Sequence, residues 1–171
     1  LPDPTNNAHV TQMFPDTAAN SAQARKLLYT GADSQTARAN VSARVSCDDG
    51  KTWPGLRTIR RGFSAYSVAD TLDNGKFGVF YEGNYTDSMQ FATFDESWLN
   101  YVCAPMEASS FTADPATTIE LPVTITNQEA QAISGSVSVG TSTLFSAAPQ
   151  QVGNLAAGAS TTIKVPLTIS S

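Results

Sequence analysis

The octapeptide Ser46-Cys47-Asp48-Asp49-Gly50-Lys51-Thr52-Trp53 sets two carboxylates side by side. Such a pair could work as acid and base, hold a cation, or shape a turn. As a calcium site it is poor, because that ion calls for about 6–8 oxygen ligands and no other acid lies near in the sequence. In a turn every residue type is accounted for, since Asp48 accepts backbone N–H bonds, Gly50 takes a left-handed conformation and Trp53 packs beneath. The turn reading prevails. Elsewhere a phenol, a guanidinium and a carboxylate stand at Tyr66 in "AYSV", Arg38 in "SQTAR" and Glu82 in "VFYE". From pattern alone Tyr66 is a packed strand tyrosine, Arg38 a solvated loop residue or ion-pair partner, Glu82 a salt-bridge partner, and Asn6 in "PTNN" an ordinary turn residue. His9, Arg44 and Arg61 read as structural or exposed, with Arg44 pointing down its strand toward the octapeptide.

Short strands must position these groups. Runs of β-branched and aromatic residues recur at 8–13, 25–30, 41–47, 56–60, 65–70, 77–82 and 88–94, separated by Gly, Asn, Asp and Pro, which is an all-β pattern. The first four runs are expected to form an antiparallel meander and the next three to begin another, as in propeller blades. Leu72 to Lys76 reads as a tight hairpin turn whose Asn74-Gly75 pair supplies positive φ angles. Only "DESWLN" has a helical period.

After Cys103-Ala104-Pro105 the composition changes. Nine of the ten Lys and Arg residues precede residue 77, and residues 105–171 are rich in Ser and Thr with alternating strands such as "TIELPVTITN". The expected domains are 1–104 and 105–171. The second reads as an immunoglobulin-like β-sandwich, incomplete because four or five strands fit where such a fold uses about seven.

Composition excludes several partners. A pI near 4.6 and the lack of any Lys/Arg run argue against nucleic acid, which needs a concentrated basic face; Arg57, Arg60 and Arg61 are too few. No apolar run reaches the ~18 residues of a membrane span, and "LPDPTNNAHV" lacks the basic start and apolar core of a signal peptide. The two cysteines, Cys47 and Cys103, could pair or remain buried thiols on the count alone.

Residues 46–53 match Ser-x-Asp-x-Gly-x-Thr-Trp, the Asp box (BNR repeat) of sialidases, or neuraminidases, and of several other propeller proteins. Around it, "LPDPTNNAHV", "SQTARANVSARVSCDDGKTWP", "AYSVADTLDNGKFGVFYEG" and "FDESWLNYVCAP" resemble, in order and spacing, the last part of the catalytic domain of secreted actinobacterial-type sialidases. The resemblance spans roughly residues 1–105; beyond it the chain is similar, less specifically, to the immunoglobulin-like domain that follows the propeller in some of these enzymes.

The resemblance implies the last one to two blades of a six-bladed β-propeller, and a glycosidase that hydrolyses terminal sialic acid from glycans with retention of configuration. That family uses three arginines around the sugar carboxylate, a Tyr nucleophile assisted by a Glu, and an Asp acid/base. Arg38 matches the third arginine, Tyr66 the nucleophile, Glu82 a carboxylate that orients the first arginine, and Asn6 a pocket residue. Cys47 and Cys103 match cysteines of similar sialidases and are expected to form a disulfide, as suits an extracellular enzyme. No cofactor or metal is implied. No residue here matches the other two arginines, the Asp or the Glu, which are expected upstream of Leu1, so the chain by itself is expected to be inactive. The alternative is a non-enzymatic Asp-box module that binds glycans or acts in adhesion.

Strand parity offers a check that does not depend on the family. Successive strands of a meander reverse direction, so alternate connections share one end. Asn6, Arg38, Tyr66 and Glu82 then fall on one rim, and Asp48 and Asp49 on the other.

Overall fold

Alternation of small or branched apolar residues with polar ones creates the strands of the first half. The computed structural model describes residues 1–84, 88–140 and 142–171. It divides into two units, Leu1–Val102 and Cys103–Ser171, and is all-β apart from one short helix.

In the first unit, β1 (His9–Gln12), β2 (Leu27–Ala32), β3 (Val41–Ser46) and β4 (Gly55–Thr58) form an antiparallel sheet in chain order. A second sheet, also in chain order, is built from β5 (Ser67–Thr71), β6 (Phe77–Glu82) and β7 (Met89–Phe94). Core positions repeat every second residue: Val41, Ala43 and Val45 on β3, and Phe77, Val79 and Tyr81 on β6, are buried. The two sheets meet at β1, β2 and β5, where the Ser67 hydroxyl donates to Thr30 Oγ1 (3.1 Å) and the Ala69 N–H donates to Nδ1 of His9 (3.2 Å). The other face of the second sheet carries Val68, Phe80 and Phe91, directly opposed across its strands and exposed.

Helix α1 (Glu96–Leu99) occupies the segment with helical period; Asp95 caps it by accepting the Trp98 N–H (3.0 Å). The β5–β6 hairpin differs from expectation. Of Asn74 and Gly75 only Gly75 has positive φ (74°), its N–H donates to the Leu72 carbonyl (3.1 Å), and the Leu72 N–H donates to the Lys76 carbonyl (2.7 Å). This is the three-residue loop that closes on a left-handed glycine, not a two-residue turn with both angles positive.

Among the described residues the second unit contains six strands, more than the four or five expected. β8 (Met106–Ala108), β9 (Thr118–Thr126), β11 (Phe145–Ser146) and β13 (Ser160–Ile169) form one sheet in the order β11-β13-β9-β8. β10 (Ile133–Val137) pairs with β12 (Gln150–Leu155). β8 and β11 are too short to show periodicity. Val123, Ile125 and Val165 from the first sheet share a core with Val137, Val152 and Leu155 from the second. Buried Asn127 anchors the loop after β9, donating to the carbonyls of Gln131, Leu155 and Ala156 (2.8–3.0 Å) and accepting from the Glu129 N–H (2.9 Å). Cys47 and Cys103 are both buried, and neither is a free thiol.

Between β3 and β4 the octapeptide folds around one carboxylate. Asp48 Oδ1 accepts from the Ser46 hydroxyl (2.8 Å) and the Thr52 N–H (2.9 Å), and Oδ2 accepts from the Thr52 hydroxyl (2.6 Å). Ser46 Oγ in turn accepts the Gly50 N–H (2.8 Å). Asp49 and Gly50 are left-handed, and Trp53 donates Nε1–H to the Gly50 carbonyl (3.0 Å) and meets Tyr29 edge-to-face. Burial would raise the Asp48 pKa, but the Thr52 hydroxyl and N–H, the Ser46 hydroxyl and the Lys51 charge together hold it below the ordinary carboxylate range. The charged form is therefore favoured by folding, and its contribution is lost as pH falls through the lowered folded value. Asp48→Ala should cost about 1–3 kcal/mol, since donors lose their acceptor. In urea unfolding, the gap from wild type should narrow as pH drops below about 4.

Candidate functional site

Two loops at the opposite end of β3 from the octapeptide bring a guanidinium and a phenol together. Six strand residues at about 3.3 Å each put roughly 20 Å between these ends, so Asp48 and Asp49 take no part in the rim. Arg38 lies in the β2–β3 loop and Tyr66 immediately precedes β5. Arg38 Nη2 donates to the Tyr66 hydroxyl (3.1 Å) while its Cζ sits 4.8 Å from the centre of the Tyr66 ring. The stack and the hydrogen bond fix the pair from two directions. Tyr66 remains 38% exposed, so the phenol is open to a ligand.

The backbone at Tyr66 is bulged. The Ala65 N–H donates to the Glu82 carbonyl (3.0 Å) and the Glu82 N–H donates to the Tyr66 carbonyl (3.1 Å), so two residues face one. A bulge re-aims the side chain that follows it. Here it sets Tyr66 at the sheet's edge, beside Glu82. The Glu82 side chain is partly buried, and no ion pair reaches it among the described residues.

Asn6 lies one residue before Asn7, whose carbonyl accepts the Ser67 N–H (3.2 Å), so its segment borders the Tyr66 strand. Its backbone N–H donates to Asp3 Oδ1 (2.8 Å), but its side-chain amide is buried with neither atom hydrogen-bonded. Arg38 and Tyr66 are thus brought into contact, Glu82 is joined to Tyr66 through the backbone, and the Asn6 side chain hydrogen-bonds to neither.

Arg44 corrects the sequence reading. It points toward the rim, not the octapeptide, and Nη2 meets Asp33 Oδ1 at 2.6 Å. The reason is local: Asp33 directly follows β2, where a half-buried guanidinium finds a carboxylate, while Asp48 already has its donors in the turn. Tyr29, paired with Arg44 across the strands, lies beneath this cluster. Burial raises the Tyr29 pKa and the Asp3 charge adds to it; Arg44 opposes the rise and Asp33 reinforces it. A separate cleft of about 310 Å³ sits at the far end, lined by Phe14, Asp16, Thr71, Asp73 and Lys76 among others, and does not touch Arg38 or Tyr66. Among the described residues, no three His, Cys, Asp or Glu side chains gather as metal ligands would.

No family model matches the chain. Over 133 residues, 78% of its length, it is 40% identical to a Sialidase from Micromonospora viridifaciens. The chain is related to part of a sialidase. It spans 20% of that sialidase's length. Among the described residues, no helix is long and apolar enough to cross a membrane.

Within the sialidase-related chain, sequence reasoning missed the Asp33–Arg44 pair and the role of Asn40, which is left-handed (φ 61°) and bonded to the loop before Tyr66. Asn is the non-glycine residue most tolerant of that conformation, so "ARANVS" held a local clue. For Tyr29, spectrophotometric titration should show a component ionising above the usual tyrosine value of about 10, and Tyr29→Phe should remove that component. Arg44→Met should push it higher and Asp3→Asn should lower it; the opposite signs would refute this placement of charges.

Proposed function

We propose that this chain supplies the nucleophile and one carboxylate-binding arginine of an exo-α-sialidase that removes terminal sialic acid with retention of configuration. The observation that carries the reading is the Arg38–Tyr66 pair, joined at 3.1 Å and open to solvent on one rim. The propeller, the immunoglobulin-like character of the second unit, pairing of Cys47 with Cys103 and an extracellular location belong to the same reading.

The chemistry suits these groups. Sialic acid bears its carboxylate on the anomeric carbon, the atom to be attacked. A carboxylate nucleophile would meet a like charge across a few ångströms, a repulsion of several kcal/mol in a partly dry site. A neutral phenol avoids this. Its own difficulty is a reference pKa near 10, which leaves about one molecule in a thousand ionised at pH 7, so a base must remove the proton during attack.

Tyr66 Oη bonds to the anomeric carbon as the glycosidic oxygen departs with a proton from an acid. Water then displaces the tyrosyl oxygen, and two inversions give retention. Arg38 offers a planar fork to the sugar carboxylate. Glu82 orients a further arginine and Asn6 borders the sugar. No residue of this chain matches the other two arginines, the Asp acid or the Glu base. Residues 1–171 alone are therefore expected to release no product.

In the full-length protein, a fluorogenic sialoside should show that Tyr66→Phe lowers kcat by about a hundredfold or more while KM changes little, because the oxygen acts in the transition state. Arg38→Lys should chiefly raise KM. No sialoside turnover in the wild-type full-length protein, with glycan binding kept in Tyr66→Phe, would instead favour a glycan-binding module.

A further inference from the structure

The loops that carry Arg38 and Tyr66 are locked together along their length. The Arg38 carbonyl accepts the Ser64 N–H (3.1 Å), Ala39 and Phe63 form an antiparallel bridge, and the Asn40 N–H donates to the Gly62 carbonyl (2.8 Å). Asn40 Oδ1 returns a bond by accepting the Gly62 N–H (3.0 Å). Ser64 Oγ accepts the Val41 N–H (2.6 Å), and both residues are fully buried. Gly62 (φ 81°) and Asn40 (φ 61°) are both left-handed, so the two chains turn sharply at the same place. Each loop is thereby set against the other, two residues from Tyr66 on one side and at Arg38 itself on the other.

We propose that Asn40 and Ser64 are positioning residues that fix the Arg38–Tyr66 pair. This rests on the sialidase reading. Arg38 holds the carboxylate and Tyr66 attacks the carbon that bears it, so their separation decides whether attack is in reach. Misplacement by about 1 Å can cost a hundredfold in rate. Neither residue touches the substrate in this scheme; both act through the loop backbone. The side chains suit that role. Asn40 tolerates the left-handed backbone while supplying an acceptor, and Ser64 satisfies a buried N–H that water does not reach.

The test uses the full-length protein. Asn40→Gly keeps the left-handed backbone but deletes the acceptor, and Asn40→Asp keeps both. Asn40→Gly should lower kcat about tenfold with a smaller change in KM, and Asn40→Asp should restore it to within about twofold. Ser64→Ala should act like Asn40→Gly; where it does not fold, the Asn40 pair decides. In a Tyr66→Phe background the Asn40→Gly effect on residual kcat should vanish, which a purely structural role would not produce. Wild-type kcat in Asn40→Gly, or an undiminished effect in that background, overturns the proposal. If Tyr66→Phe alone turns over normally, the reading of Tyr66 as the nucleophile fails instead. A crystal structure of Asn40→Gly then decides the positioning: a lost Arg38–Tyr66 hydrogen bond supports it and an unchanged one refutes it.

Discussion

In an antiparallel meander each strand reverses the one before, so connections alternate between two ends and cannot trade places. β3 turns this rule into a fixed geometry. It is buried on both faces along almost its whole length, and a slip of one residue would exchange the environments of Val41, Ala43 and Val45 with those of Ser42 and Arg44. The turn around Asp48 at one end and the Arg38 loop at the other are therefore held at a set distance and on set sides. Acidic chemistry at one end stays out of the other's reach.

The two ends satisfy their polar groups differently. At the octapeptide a single carboxylate gathers donors from residues two to four positions away, a closed local arrangement that leaves little for a ligand. At the rim, the partners come from distant parts of the chain: Arg38 with Tyr66, Arg44 with Asp33, Asn40 with Gly62. Long-range pairing costs chain entropy to assemble. What it brings is a surface where reactive groups from different loops converge. The second unit follows a third pattern, with Thr124–Thr162 and Thr126–Ser160 hydroxyls bonded across β9 and β13 on an exposed face (both 2.8 Å).

Much of this was legible from residue order. Runs of β-branched and aromatic residues bounded by Gly, Asn, Asp and Pro marked β1 to β7 to within a few residues. The Asp48 turn was legible because its partners are close in sequence. Side-chain direction was harder: Arg44 could serve either end, and the choice depended on where unpaired acids remained after folding. Asn74-Gly75 carried the residues of one hairpin type, yet the position of the Leu72 and Lys76 pairing selected another. β8 and β11 fell below the length at which alternation can be seen. The Asn40–Gly62 and Val41–Ser64 bonds span more than twenty residues, and local pattern has no access to them.

The row formed by Val68, Phe80 and Phe91 has one more implication. Apolar side chains abreast on a pleated surface form a continuous greasy stripe, and each square ångström of it left wet forgoes about 25 cal/mol. A neighbouring sheet could cover that stripe with no new hydrogen bond, gaining adhesion from water release alone. Phe91 is the most exposed of the three at 62%, so covering its ring would contribute most to that gain.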